Sequence, residues 1–493
     1  MQIEPDEGRH ELPDLPQRNF QGGGDVAAAM SHLRLAPLLA ALTLIAAAPA
    51  AAAPPWSAPS TIASGIPQVG QPEVTIAGNG RAVLSARLTT QAQGVPSHGF
   101  SRLWGEQPDG GFAVRGRLVL AAPPVAYGAG RLVLLRLALA AGDLTIADLD
   151  DPSRQSLGYS FGRCCGTLEV DAGGYRRLSA HADRSSGAIA ANRRGDAAAA
   201  WVEHLAGRDH LVVAVRGPSR PFGRPSVIAG SGFMSSPSVA WSARGDLLVA
   251  YQRSISRPGR TDRRVEARVR RAGHGWGRAQ RLGASSGFSQ ITAAASANGR
   301  MLVAWGTQDI GEEANTPWIV RAAIRQAGPH GFRAAQDLEV SEGRDERPAG
   351  TVAAAMAPDG TATVSWSGIA GARFPHTFPL RVATAGSSLR FGTAQTLAPN
   401  AAAGDVAMDA RGAAIVVWAT LSIPGVNQGT EQVFANLRAP GGATFGAAEA
   451  VGPAERAELP RVAMDGATGR AAVVWVSRAQ GVAQRLRFAA RPG

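Results

Sequence analysis

The 493-residue sequence predicts an all-β fold, a single eight-bladed β-propeller with four-stranded blades, seven blades being the alternative count. Three observations carry this. A glycine-turn hairpin recurs about every 55 residues, each unit has room for four strands, and the chain begins and ends out of phase with the repeat. Composition agrees: 60 Gly and no Lys disfavour helical bundles and coiled coils, while 45% hydrophobic residues exclude compositional disorder. Two Cys exclude a disulfide scaffold and a four-Cys zinc site.

The hairpin supplies strands A and B. It is plainest around Gly195, Gly245, Gly299, Gly360, Gly412 and Gly469, and six residues after each stands an aromatic: Trp201, Tyr251, Trp305, Trp366, Trp418 or Trp475. Weaker copies at Gly80 and Gly130 end in Ala86 and Arg136, which completes eight. The returning run is almost continuous in Ala, Val and Leu, the signature of a strand covered on both faces. Six aromatics at one phase predict packing between blades rather than a carbohydrate-stacking surface.

Strand C follows the hairpin, for example 265–270 or 432–437. Strand D is expected to start at a second recurring aromatic, as in Phe222, Trp276, Phe391 and Phe445, each followed by Gly, and in Phe332, Phe112 and Tyr175. The eighth such aromatic, Trp56, comes before any hairpin, whereas the chain closes on strands A, B and C over 461–490. The segment 56–62 is therefore expected to complete the last blade, closing the ring one-plus-three. A row of separate sandwich domains is disfavoured, since those need roughly 100 residues each.

Ahead of the repeat, 30–53 has the layout of a signal peptide: Arg34, an apolar stretch from Leu35 to Ile45, then small residues from Ala46 to Ala53. The apolar stretch is too short to span ~30 Å of hydrocarbon as a helix. Residues 1–29 read as an untranslated or disordered extension, with Met30 the expected start, and 54–493 as the propeller. A secreted or cell-envelope-exterior monomer with no membrane span in its mature chain is the expectation. Loss of 1–53 removes three Arg and six acids and raises the net charge from +12 to +15.

The repeat resembles the secreted sialidase-like, bacterial-neuraminidase-repeat propellers and other secreted propellers of high-GC bacteria, over about 54–493. The resemblance implies a fold and no more. A sialidase Asp box places its aromatic three residues after Gly, whereas here it stands six after. Of the four Tyr available as a nucleophile, Tyr175 and Tyr251 occupy repeat positions, and no catalytic residue carries over. The signatures of WD, kelch and receptor propellers are absent.

In such propellers strand A lines the channel, and the B–C and D–A loops share the face on which ligands commonly bind. The longest loop, about 140–165, is expected to be a B–C loop of the second unit, gathering Asp148, Asp150, Asp151, Arg154, Tyr159, Phe161 and Arg163 as candidate binding residues. No cofactor is expected. Ca²⁺ held by these acids is the alternative, although the spacing and glycine of an EF-hand are missing. Cys164 and Cys165 are adjacent, so in an oxidising compartment they form a strained vicinal disulfide, stay as two thiols, or bridge to another chain. His204 and His210 have no metal-binding spacing, and the charged residues around 309–313 and 342–347 read equally as surface ion pairs.

Three function classes follow. The first is a non-enzymatic module binding an extracellular protein or glycan at the B–C/D–A face. The second is a sialidase-like glycan hydrolase or lyase. The third is capture of an anionic polymer, such as a cell-wall polymer, by the positive charge.

Overall fold

The computed structural model describes residues 55–66, 68–76, 79–90, 98–119, 125–128, 131–137, 144–150, 159–161, 168–170, 175–179, 182–192, 194–217, 220, 222–258, 260–285, 290–308, 318–340, 352–368, 378–421, 431–478 and 484–493; over 115–186 the strands are described by their backbone. All regular structure there is β, and all of it lies within Pro54–Gly493. The strands form eight four-stranded antiparallel sheets and one two-stranded ribbon. Sheet 1 occupies 68–119, sheet 2 125–179, sheet 3 182–230, sheet 4 233–284, sheet 5 291–340, sheet 6 353–398 and sheet 7 401–450. Sheet 8 takes strands A, B and C from Arg456–Met464, Ala471–Arg478 and Gln484–Arg491, and its outermost strand from Ser60–Ile66.

Closure is thus one-plus-three. Ser60 pairs with Phe488, Thr61 with Arg487 and Ile66 with Gln484. The Ser57 N–H donates to the Ala490 carbonyl at 2.7 Å, and the Arg491 guanidinium lies 5.8 Å from the Trp56 ring centre. Strand A of each sheet touches strand A of the next, from sheet 1 round to sheet 8 and back to sheet 1. At the last junction the Val69 N–H donates to Gln484 Oε1, and Arg470 reaches the Gly80 carbonyl and Glu106 of sheet 1.

The A–B turns have a simple cause. Gly245 at φ 89° and Gly412 at φ 87° stand in the left-handed region, where a side chain is strained. Strand B then runs inside its sheet with both faces covered, and Leu247 to Tyr251 and Ala471 to Val476 are all buried. From the fifth residue of strand B the aromatic packs toward the neighbouring sheet. Trp305 of sheet 5 donates its Nε1–H to the Ala284 carbonyl on strand D of sheet 4 at 3.1 Å. A Cβ built on Gly283 would stand 2.9 Å from Trp305 Cζ2, and one on Gly452 would stand 2.8 Å from Trp475 Cζ2. The repeat aromatics are therefore inter-sheet core, as their phase implied: Trp201, Tyr251, Trp305 and Trp366 are fully buried, with Trp418 and Trp475 nearly so.

Strand D begins on its aromatic in sheets 1 and 2, at Phe112 and Tyr175, but later than it in sheets 4 to 6. Trp276, Phe332 and Phe391 make single bridges to Arg270, Arg325 and Ala385, and strand D starts four residues on, at Gln280, Gln336 and Gln395. Each Gln reaches into the next sheet and holds the aromatic's backbone by two bonds. Gln280 Nε2 donates to the Phe332 carbonyl and its Oε1 accepts the Phe332 N–H, both at 2.7 Å. Gln336 does the same to Phe391, and Gln395 to Phe445. A second device closes the outer edge, where Arg216 and Arg438 lie over Phe222 and Phe445 at 5.7 Å.

Two expected outcomes test this account. Gly283→Ala should lower stability by about 1–3 kcal/mol, because the Trp305 ring has no room to retreat. Gln336→Ala should cost about 1–3 kcal/mol by leaving the Phe391 backbone unpaired. Urea unfolding of each variant against the parent checks both.

Candidate functional site

The second unit differs from expectation. Its strand B is Arg131–Leu137 and its strand C is Leu144–Asp150, with Asp150 opposite Arg131 and Asp148 opposite Val133. Asp148 and Asp150 are therefore strand residues, not members of a B–C loop. Strand C pairs with strand B along all seven residues, from Leu144 opposite Leu137 to Asp150 opposite Arg131. The long connection joins strand C to strand D (Tyr175–Ser179), and so leaves from the A–B/C–D side, opposite the face on which it was expected. Tyr159 and Phe161 belong to the ribbon Tyr159–Phe161 with Leu168–Val170. Asp151, Arg154, Arg163, Cys164 and Cys165 lie outside the described residues, as do 309–313 and 342–347. Of the two histidine positions, His204 is 63% exposed and pairs with Asp209 at 2.7 Å on a B–C hairpin.

A different site stands in the channel. Counting three residues back from the last residue of strand A gives one position per sheet at a common height: Glu73, Ala188, Ser238, Thr292, Ala353, Asp405 and Arg461 in sheets 1 and 3 to 8. Except for Ala188, these line a cavity of about 520 Å³, together with Ser236, Gln290 and Val352. Each pairs with the fourth residue of its strand B, which sets one level part-way along the channel. In sheets 4, 7 and 8 a β-bulge immediately precedes the position, between Ser235 and Ser238, Ala402 and Asp405, and Glu458 and Arg461. A bulge re-aims the following side chain, here into the channel.

The ring has two halves. Sheets 3 to 6 contribute small or hydroxylated side chains, and sheets 7, 8 and 1 contribute Asp405, Arg461 and Glu73 in succession. The innermost strands are edges whose N–H groups need acceptors, and ring residues provide them: Ser238 Oγ accepts from Ala293 N at 2.9 Å, and Asp405 Oδ2 from Val462 N at 3.0 Å. Asp405 Oδ1 also accepts from Val406 N at 2.9 Å, yet burial raises its pKa against the opposing pull of Arg461 and those two bonds. Arg461 Nε lies 4.0 Å from Glu73 Oε1. Desolvation pushes Glu73 up to about 7; Arg461 lowers it and Asp405 raises it. Glu73 keeps 39% of its side chain open and lines the channel cavity. Two acids around one guanidinium thus hold a proton-exchanging group near neutrality within a polar cavity.

Tyr251 has no such role. Its Oη donates to Glu266 Oε2 at 2.7 Å inside sheet 4, and burial first, then Glu266, raises its pKa and keeps it protonated. No cluster of three or more His, Cys, Asp or Glu suited to a metal ion occurs among the described residues. Likewise, no described helix is long and apolar enough to cross a membrane. The ring could have been found in the sequence by reading the residue seven before each turn Gly, eight before it for Gly469.

The raised Glu73 pKa has a sign that can be measured. The folded state binds this proton more tightly than the unfolded chain, so stability falls as pH rises from about 4.5 through about 7. Glu73→Gln should remove that loss, leaving stability near the parent at pH 5 and above it at pH 8. Thermal unfolding at the two pH values checks it, and an equal change at both refutes the assignment.

No protein-family model matches the chain, and no curated protein matches it. Solved structures similar to it include a protein of unknown function from Dyadobacter fermentans, 12% identical over 63% of this chain and 94% of that one, TM-score 0.39. The NanB sialidase of Streptococcus pneumoniae is 8% identical, covering 87% of this chain and 94% of its own, TM-score 0.37. The α-L-arabinanase of Penicillium chrysogenum is 12% identical, covering 62% and 93%, TM-score 0.36.

Proposed function

We propose that this chain is an exported binding module that takes a polyhydroxylated ligand, the end of a glycan, into its channel. The observation that carries this is the ring of Ser238, Thr292, Asp405, Arg461 and Glu73 around a cavity of about 520 Å³. Sugar hydroxyls both donate and accept, and this ring offers two carboxylates and a guanidinium on one arc and hydroxyls on the other. Export rests on the signal-peptide layout of 30–53.

A second reading, glycan hydrolysis, is favoured by one fact: Glu73 titrates at about 7 in the same cavity as Asp405, a pairing suited to a proton donor and a carboxylate partner.

A glycan panel with the purified protein, read by both binding and product release, separates the two. Arg461→Met is expected to weaken the bound glycan about tenfold or more, the cost of a charged hydrogen bond; unchanged affinity rejects the channel as the site. Under the hydrolytic reading, Glu73→Gln lowers kcat about a hundredfold or more. Release of product that survives Glu73→Gln rejects that reading and leaves the first in place.

A further inference from the structure

We propose that the outer rim of the ring, along the C–D turns of sheets 4 to 6, is a groove that binds a polymer bearing phosphate or sulfate groups. A cavity of about 430 Å³ between sheets 4 and 5 is lined by Arg271, His274, Trp276, Arg278, Arg325 and His330, and by no carboxylate. A second cavity of about 760 Å³ lies at the equivalent place between sheets 5 and 6, with Arg333 and Arg390 on its wall beside Phe391. Each is built on the same clasp, Gln280 in the first and Gln336 in the second, so the two repeat at one height along the rim.

The cations divide by what already engages them. Arg268 and Arg270 donate to the carbonyls of Gly277 and His274 and serve the turn. Arg321, Arg381 and Arg487 are paired with Asp337, Glu339 and Glu455. Arg271 and Arg278 are exposed, and among the described residues no carboxylate pairs with either. Arg325, only 4% exposed, gives Nη2 to the Gly328 carbonyl, while its Nη1 faces the Met301 thioether at 3.9 Å, a weak acceptor. Desolvation lowers its pKa, Asp246 opposes this and Arg271 adds to it. Asp246 already accepts from Ala272 N at 2.9 Å. Asp246 thus offsets part of the charge of three guanidiniums, and a tetrahedral oxyanion meeting Arg271, Arg278 and Arg325 would compensate the excess.

The groove also has an end. The C–D turn of sheet 7, 439–444, carries no charged residue, and in sheet 7 an acid, Glu449, replaces the clasp Gln and pairs with Arg491. Successive anionic groups on one chain match successive cavities, whereas a single small anion would use one. The groove draws on none of the channel residues, so it stands or falls independently of the reading above.

The test titrates the protein with inorganic polyphosphate and, separately, with heparin, following tryptophan fluorescence at several salt concentrations. At least one polymer is expected to bind, and which one tells whether phosphate or sulfate is the source. Arg271→Ala with Arg278→Ala should weaken it at least fivefold and make the slope of log K against log salt shallower by about 1–2, one phosphate contact contributing roughly 0.9. Arg208→Ala with Arg257→Ala removes the same charge from the B–C hairpin ends of sheets 3 and 4 and should change affinity less than twofold. Unaltered thermal unfolding of both pairs shows that the fold is intact. No binding of either polymer at 0.05 M salt, a loss below fivefold in the first pair, or an equal loss in the second overturns the proposal.

Discussion

A four-stranded sheet of Ala- and Val-rich strands has two apolar faces and cannot cover either by itself. The rest of the molecule is organised around meeting that need through contact between neighbouring sheets. Trp305 and Trp475 press on glycines of the preceding sheet, at positions that leave no space for a side chain. Once the faces are covered, the backbone groups at their margins lie away from water and must find partners. Gln280, Gln336 and Gln395 do this at the outer margin, and Ser238 and Asp405 do it at the inner one. A ring also has no terminal sheet, which is why Ser60–Ile66 must travel with the far end of the chain.

The inner margin is where architecture and chemistry meet. Asp405 is needed as an acceptor for Val462 N and simultaneously faces the channel beside Arg461. A group held for structure thereby sets the electrostatics of a cavity, and Glu73 responds with a pKa near 7. The charged arc occupies three consecutive sheets around the closure, while the opposite arc stays neutral. The cavity is asymmetric although the scaffold is regular.

The channel and the outer rim carry opposite chemistry. The channel cavity presents acids around one arginine, and the C–D rim of sheets 4 to 6 presents arginines in cavities lined by no carboxylate. Many arginines are consumed by carboxylates and carbonyls, whereas Arg271 and Arg278 face the same cavity as Arg325.

Much of the fold was legible because the repeat is written in residue types with local consequences. A turn glycine needs a left-handed backbone, a strand covered on both faces needs continuous apolar residues, and an aromatic at constant phase needs a constant cavity. The out-of-phase Trp56 likewise identified the closing strand. Reading Asp148 and Asp150 as loop residues failed because acids suggest a turn, whereas strand pairing with Arg131–Leu137 decides the matter. The channel residues were invisible for a related reason: Glu73, Asp405 and Arg461 are far apart in sequence and differ in type, so no motif joins them. Sequence alone determined the repeat, its phase and the inter-sheet role of the aromatics, since each depends on local geometry. Only the closed ring decided which ordinary polar residues share one desolvated cavity, because desolvation and charge coupling arise from neighbours that the chain brings together last.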